Sequence, residues 1–363
     1  MPKEAAAAAG QPKTWIPKLR LGADDSYIEV YGQVDKGVLA FDDGHSTLGY
    51  VPVDNANAST RGGVRIYAEI NEIWSIGGNA EAEWNPYSTN NVNQLNRGDY
   101  DWDTWLLRKA EVYAESQKFG KLWLGQGSMA SDSTAEVDLS GTTVIGYSSI
   151  SDMAGGQFFR LTDGTLSEVQ VKDAFTNFDG LQRKLRVRYD TPKFAGFSLG
   201  TSVGTQVVPT KTETWVWDIA ARYENTFGDF KVAGAAAFSR PREDDELYDG
   251  SVSVLHEPTG LSITLAAAYS DEEQVNGRYF YTKLGYQADF FEVGKTAMSV
   301  DAYFGKDVEG TDTNSSSFGV QLVQNLDYYQ TELYLGGRSY DFDHAADEVD
   351  TGVAFLAGAR VKF

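Results

Sequence analysis

No cysteine occurs in the 363 residues. Disulfides, thiolate metal centres and thiol nucleophiles are therefore excluded, and zero cysteine implies neither an oxidising nor a reducing compartment. Histidine is nearly missing, with His45, His256 and His344 the three present, and proline is scarce at nine. None of the histidines stands beside a GxSxG elbow or in an HExxH pair, so the chain is not expected to be an enzyme. Bases are outnumbered, 31 against 52 acids, for a formal net charge of −21. The basic face of a nucleic-acid binder is thus lacking. No run of about 18 apolar residues exists, so a membrane-spanning helix is absent. A β-barrel stays open as a membrane-crossing form, because half of each strand is polar and the hydropathy signal is weak.

Aromatics are plentiful at 13%, and there are 37 glycines. Apolar and polar residues alternate along most of the chain. YIEVYGQVDKGVLAF sets Ile28, Val30, Val34 and Val38 against Glu29, Tyr31, Gln33 and Asp35; GVRIYAEIN sets Val64, Ile66 and Ile70 against Arg65, Tyr67 and Glu69. KAEVYAE, FSLGTSV, WVWDIAARY, FKVAGAAAF, LSITLAAAY, MSVDAYF, FGVQLVQ and TELYLGG repeat the pattern. The closing GVAFLAGARVKF puts Phe355, Val361 and Phe363 on one face and Arg360 and Lys362 on the other. Period two over this many segments is the half-buried strand signal, and counting gives about 16 strands.

Connections alternate in length. Short ones such as Gln117–Gly120, Asn225–Asp229 and Asn325–Asp327 carry Gly, Pro, Asn and Asp; long acidic ones include 41–62, 85–103, 205–214 and 340–351. Tight turns at one rim and long loops at the other suit an all-β, 16-stranded antiparallel transmembrane barrel. A large β-sandwich would also alternate, but it gives no reason for the asymmetry. Trp215, Trp217, Tyr223, Phe230 and Phe238 bracket strands as interfacial aromatic girdles do. The barrel is expected to span residues 27–363, after a flexible or weakly helical tail at 1–26. The tail's apolar run, Ala5 to Ala9, is too short for a signal peptide, and Glu4 precedes it.

Residues 127–180 form a connection far longer than the others, and such loops are usually functional. The strand after it, LQRKLRVRYD, places Lys184, Arg186 and Arg188 on one face. Folded into the barrel, the loop sets its acids Asp132, Glu136, Asp138 and Asp152 opposite this ladder, joined by Arg65 and Lys109 from earlier strands. Opposed charge rows make a transverse field across a pore. The alternative for these bases is ordinary solvated lumen charge.

FGKLWLGQGSMAS, IGYSSISDMAGG and KLRVRYDTPKFAGFSLG, with the opening EVYGQVDKGVL and the closing LAGARVKF, resemble the bacterial general porin family, most of all the porins of α-proteobacteria. The resemblance runs from about Ile28 to Phe363 and implies a homotrimer of 16-stranded barrels in the Gram-negative outer membrane. It further implies contact with outer-membrane lipid and lipopolysaccharide, a third loop folded inward as a constriction, and a terminal Phe363 read by the assembly machinery. The resemblance supplies no counterpart for the tail before Tyr27. The expected function is passive diffusion of ions and small hydrophilic solutes through a water-filled channel, with no nucleic-acid partner and no cofactor. A substrate-selective porin is the alternative: Tyr67, Tyr113, Trp123, Phe158 and Phe159 would form an aromatic track for a sugar or a small organic acid. A soluble β-rich binding protein is a remote third. Acidic outer loops such as Arg242–Glu246 and Asp341–Asp343 offer carboxylates to Ca²⁺, although solvated loop charge is the simpler reading and no metal site is assigned.

Overall fold

The computed structural model describes residues 14–98, 100–208, 210–212, 214–272, 276–343 and 348–363. Sixteen antiparallel strands close into a barrel. They are β1 (Ser26–Asp42), β2 (in two segments, Thr47–Asp54 and Arg61–Glu69), β3 (Trp74–Trp84), β4 (Trp105–Ser116), β5 (Gly120–Ser128), β6 (Arg183–Asp190), β7 (Phe197–Thr205) and β8 (Trp215–Phe227). The second half comprises β9 (Phe230–Arg240), β10 (Glu246–His256), β11 (Leu261–Asp271), β12 (Arg278–Phe291), β13 (Gly294–Lys306), β14 (Asn314–Leu326), β15 (Thr331–Asp343) and β16 (Gly352–Lys362). Each strand pairs with its sequence neighbours, and β16 closes the ring on β1 from Gln33↔Lys362 to Asp42↔Val353.

Alternation decides which side of every strand meets lipid. On β11, Leu261, Ile263 and Leu265 are exposed outward while Ser262, Thr264 and Ala266 are buried inward. Phe363 lies on the outer face, and its backbone exchanges both hydrogen bonds with Gly32 at 3.0 Å. Two aromatic rows bound the apolar band. Trp215, Trp217, Tyr248, Phe280, Phe304 and Phe318 lie near the long-loop rim, and Phe197, Phe227, Phe230, Phe290 and Phe291 near the short-turn rim. Because no lipid-exposed backbone group is left without a partner in a closed ring, this is one of the two architectures a bilayer accepts.

Two stretches differ from their expected form. The supposed long loop 41–62 is mostly strand, because β2 resumes pairing with β1 on both sides of a break at 55–60. The tail is ordered where it is described: Leu19–Gly22 is a strand, paired with β1 from Leu19↔Val30 to Gly22↔Tyr27. It occupies the edge of β1 that β16 is too short to cover, and the Trp15 indole N–H donates to the Tyr329 carbonyl at 2.7 Å. Residues 1–13 and His344 lie outside the described residues.

The segment between β5 and β6 enters the lumen and lies against β8–β15. The Ser131 hydroxyl donates to Asp218 at 2.6 Å, the Val137 and Leu139 amides donate to Ser251 and Ser253, and the Tyr340 hydroxyl donates to the Ile150 carbonyl at 2.8 Å. Lys283 reaches Asp138 at 2.7 Å, both side chains being almost fully enclosed. Ile145, Ile150, Met153, Phe159 and Phe175 pack on Tyr279, Tyr281, Tyr303 and Tyr340 in one continuous apolar core. The side of the lumen along β8–β15 is thus filled with protein. Farther on, the segment forms a hairpin (Phe158–Arg160 with Leu166–Gln170) that docks on the last long loop, where the Asp350 amide donates to the Arg160 carbonyl at 2.8 Å.

Removing one partner of an enclosed ion pair leaves the other charge without compensation, at about 3–5 kcal/mol. Lys283→Ala is therefore expected to lower the unfolding free energy of the detergent-solubilised barrel by that order, read as a lower unfolding midpoint. A Lys283→Met, Asp138→Leu double substitution should recover most of it. Equal midpoints for Lys283→Ala and the parent would show that the pair does not hold the loop.

Candidate pore constriction

The inward segment leaves open the half of the lumen facing β2–β6 and β16, a cavity of about 830 Å³. Its loop side carries Asp132, Glu136, Asp152 and Asp179, with Tyr147 among them; its wall carries Arg61 of β2, Arg108 of β4, Arg183 of β6 and Arg360 of β16. Acids therefore face bases across the passage. They come closest where Arg183 Nη1 stands 3.8 Å from Asp132 Oδ2.

Three of the wall arginines reach the lumen for a local reason. Pairing between β3 and β4 slips by one residue at Glu81/Ala82, so the strand bulges and both Arg108 and Lys109 point inward. Arg108 then binds Glu81 at 2.7 Å and also Glu83. Arg61 resumes β2 after the break. Its guanidinium lies 3.4 Å from the Ser59 hydroxyl, and among the described residues it makes no ion pair. Arg360 sits on the inner face of β16 and pairs with Glu332 of β15.

Three of the four loop acids expected here, Asp132, Glu136 and Asp152, line the cavity. Asp138 does not: it points away from the passage into its pair with Lys283. The ladder Lys184, Arg186 and Arg188 faces inward as expected but lies off the cavity, engaged with its neighbours. Arg186 is buried against Glu111 at 2.5 Å and the Ser128 carbonyl. Arg188 holds Asp190 and the Met129 carbonyl at the loop's root, and Lys184 donates to Gln206. Arg65 pairs with Glu29 at 3.5 Å, and Lys109 lies inward opposite Glu81. None of these five bases lines the cavity. Tyr67, Tyr113 and Trp123 face the lumen nearer the short-turn rim, whereas Phe159 is 1% exposed and stacked on Phe342, and Phe158 belongs to the docked hairpin. Phe159 is thus a core residue, and the pair forms no track. Among the described residues no group of three or more His, Asp or Glu is placed to hold a metal ion.

The loop carboxyls do not all titrate as free acids. Burial, then the charge of Asp132, pushes Asp179 up to about 7 although the Ser133 and Ala135 amides donate to it. Glu136 is raised well above the usual carboxylate range by burial and by the neighbouring Asp179 and Asp132 charges. Asp152 is also raised by burial, against the hydrogen bonds it accepts from the Tyr147 hydroxyl at 2.7 Å and Asn90 at 3.0 Å. Near neutral pH the acidic side therefore holds less charge than its residue count.

The 16-stranded barrel has known relatives. The sequence profile of the Gram-negative porins matches residues 5–345. Among curated proteins no match is found. Solved structures of the same fold include the anion-selective porin from Comamonas acidovorans, at 14% identity and a TM-score of 0.62 over 93% of this chain and 100% of that one. The trimer form of OmpT, an outer membrane protein of Vibrio cholerae, matches at 15% identity and 0.58, over 94% and 100%. Salmonella typhi OmpF in complex with daunomycin matches at 14% and 0.58, over 95% and 100%. The profile covers nearly the whole chain, and the chain belongs to the Gram-negative porins, β-barrel channels of the outer membrane through which solutes diffuse passively.

Proposed function

We propose that the passage conducts ions and small hydrophilic solutes without a dedicated binding track, and that its selectivity is set by Arg61, Arg108, Arg183 and Arg360 acting against Asp132, Glu136, Asp152 and Asp179. The observation that carries this reading is the cavity itself, with four acids on its loop side and four arginines, beside the single acid Glu83, on its wall. A selective aromatic track finds less support. Lys121 Nζ lies 3.7 Å from the Tyr113 ring centre and 4.0 Å from that of Trp123, and Arg20 lies 3.7 Å over Tyr27. Cations thus cover the ring faces a sugar would stack on. Family membership supports a channel over an enzyme.

We further infer a homotrimer whose interface includes β1 and β2. Lys36 alternates with the exposed Val34 and Val38 on the outer face of β1, midway along the strand. It pairs with Asp54 at 2.5 Å and lies 5.5 Å from the Trp84 ring centre. A lysine facing lipid at mid-bilayer costs about 2–4 kcal/mol, a cost avoided where another subunit covers it. The trimer form of the Vibrio cholerae protein is consistent with this assembly. Lys36→Glu is expected to convert SDS-resistant oligomers to monomers at lower temperature than the parent; unchanged resistance would place the interface elsewhere.

In planar bilayers under a salt gradient, Arg61→Gln with Arg108→Gln should raise the cation-to-anion permeability ratio about two- to fivefold, the scale for removing unit charges acting through water at close range. Arg186→Gln with Arg188→Gln should change it less, because those bases lie off the cavity. Cation preference of the parent should also rise with pH through about 7, since Asp179 is protonated below that value and charged above it. Asp179→Asn should flatten the rise. A reversal potential indifferent to Arg61 and Arg108 would remove them from the selectivity site.

A further inference from the structure

The break in β2 has a direction. On β1, Gln33 pairs with Arg61 and Lys36 with Asp54, so two positions of β1, Val34 and Asp35, stand opposite the six residues 55–60 of β2. The surplus must leave the sheet, and it leaves inward: Ala56, Asn57, Ala58 and Ser59 line the cavity. Asn55 suits the departure, because an Asn side chain caps a local turn. Its Oδ1 accepts from the Asn57 amide at 3.0 Å and caps a single helical turn, Ala56–Ala58. Thr60 replaces the missing rung of the ladder: its hydroxyl accepts from the Asp35 amide at 3.1 Å and donates to the Asp35 carbonyl at 3.2 Å. Gln33 Nε2 donates to the Ala58 and Ser59 carbonyls, both at 2.8 Å.

We propose that this inward turn of β2 is the size filter of the passage, a second constricting element beside the segment between β5 and β6. The proposal rests on reading the cavity as the conducting passage. Two features carry it. The turn is braced from both sides of the lumen. Asn55 Nδ2 donates to the Val144 carbonyl of the inward segment at 2.7 Å. The Ala56 amide donates to the Thr89 hydroxyl at 3.1 Å, and that hydroxyl donates to the Asp152 carbonyl at 2.6 Å. A pore radius is set by what cannot move aside, and a turn tied to β1, to the β3–β4 connection and to the inward segment is held in place. The second feature is a division of labour within the turn. Asn55 and Thr60 are buried and make the bracing bonds, whereas Ala56 and Asn57 are half-buried and face the passage. None of the residues presented is charged, so the turn contributes bulk, and the sign of the passing solute is left to the arginines and acids. Were the turn only a plug for the wall between β1 and β2, added bulk at Asn57 would leave transport unchanged.

The test adds bulk to the folded protein and then removes the turn. With no native cysteine, the full-length Asn57→Cys protein can be reconstituted, its conductance recorded, and the thiol then modified with neutral, water-soluble reagents of increasing size. Conductance is expected to fall with reagent size, about twofold for the largest, as pore diameter shrinks. In proteoliposomes, uptake of a disaccharide should fall more than uptake of a monosaccharide, and the reversal potential in a salt gradient should stay the same. Replacing residues 55–60 by Thr-Val restores alternation between Asp54 and Arg61. That barrel is expected to conduct about 1.5-fold more and to admit sugars that the parent excludes. Complete labelling at position 57 with unaltered conductance, or an excised barrel with the parent's exclusion limit, would overturn the size filter. Arg61→Gln with Arg108→Gln should do the converse, shifting the reversal potential and leaving the sugar exclusion limit unchanged, so the size filter and the charge reading fail separately. A thiol at 57 that no water-soluble reagent reaches would overturn both, because the cavity would then not be the passage.

Discussion

A backbone crossing hydrocarbon has no water to satisfy its N–H and C=O groups, and the rest of this structure answers to that constraint. Sixteen strands pair each to the next, and β16 pairs back to β1, so lipid meets no open edge. Pairing at period two then sorts every side chain to lipid or lumen. The short strand Leu19–Gly22 is the same constraint acting locally: it covers the part of the β1 edge that extends past the end of β16.

A ring of this size encloses more space than a selective passage needs, and the inward loop fills the surplus. It does so with a packed core rather than by lying loose in water. Tyrosines from β12, β13 and β15 meet aliphatic and aromatic residues of the loop, and Lys283 locks Asp138 in place. The loop's other edge is left facing β2–β6 and β16, where Asp132, Glu136, Asp152 and Asp179 look across at four arginines. The same crowding raises Asp179 and Glu136.

Strand-level features were legible in the sequence because they are local. Period two marked the lipid face at Leu199, Ile219 and Val361, and the aromatic rows appeared as bracketing residues around Trp217 and Phe238. The lining of the cavity was legible in part. Asp132, Glu136 and Asp152, expected from the loop's length and acidity, lie on it. Arg108 was not, because a one-residue bulge turns it to the face that strict alternation denies it. Asp138 was misplaced since its partner, Lys283, lies 145 residues away in sequence. The ladder at Lys184, Arg186 and Arg188 faces the lumen as its spacing requires, yet Glu111 from β4 holds Arg186 and Asp190 of the same strand holds Arg188.

The central claim is that one half of the lumen is filled and the other conducts. The absence of native cysteine makes it directly measurable with single-cysteine variants in planar bilayers. Ser133→Cys lies on the open side and Ser253→Cys behind the loop, where the serine is 0% exposed. A charged, water-soluble thiol reagent is predicted to modify Cys at 133 rapidly and lower conductance, and to leave Cys at 253 unmodified. Rapid modification at 253 with a matching conductance drop, or inertness at 133, would contradict the account.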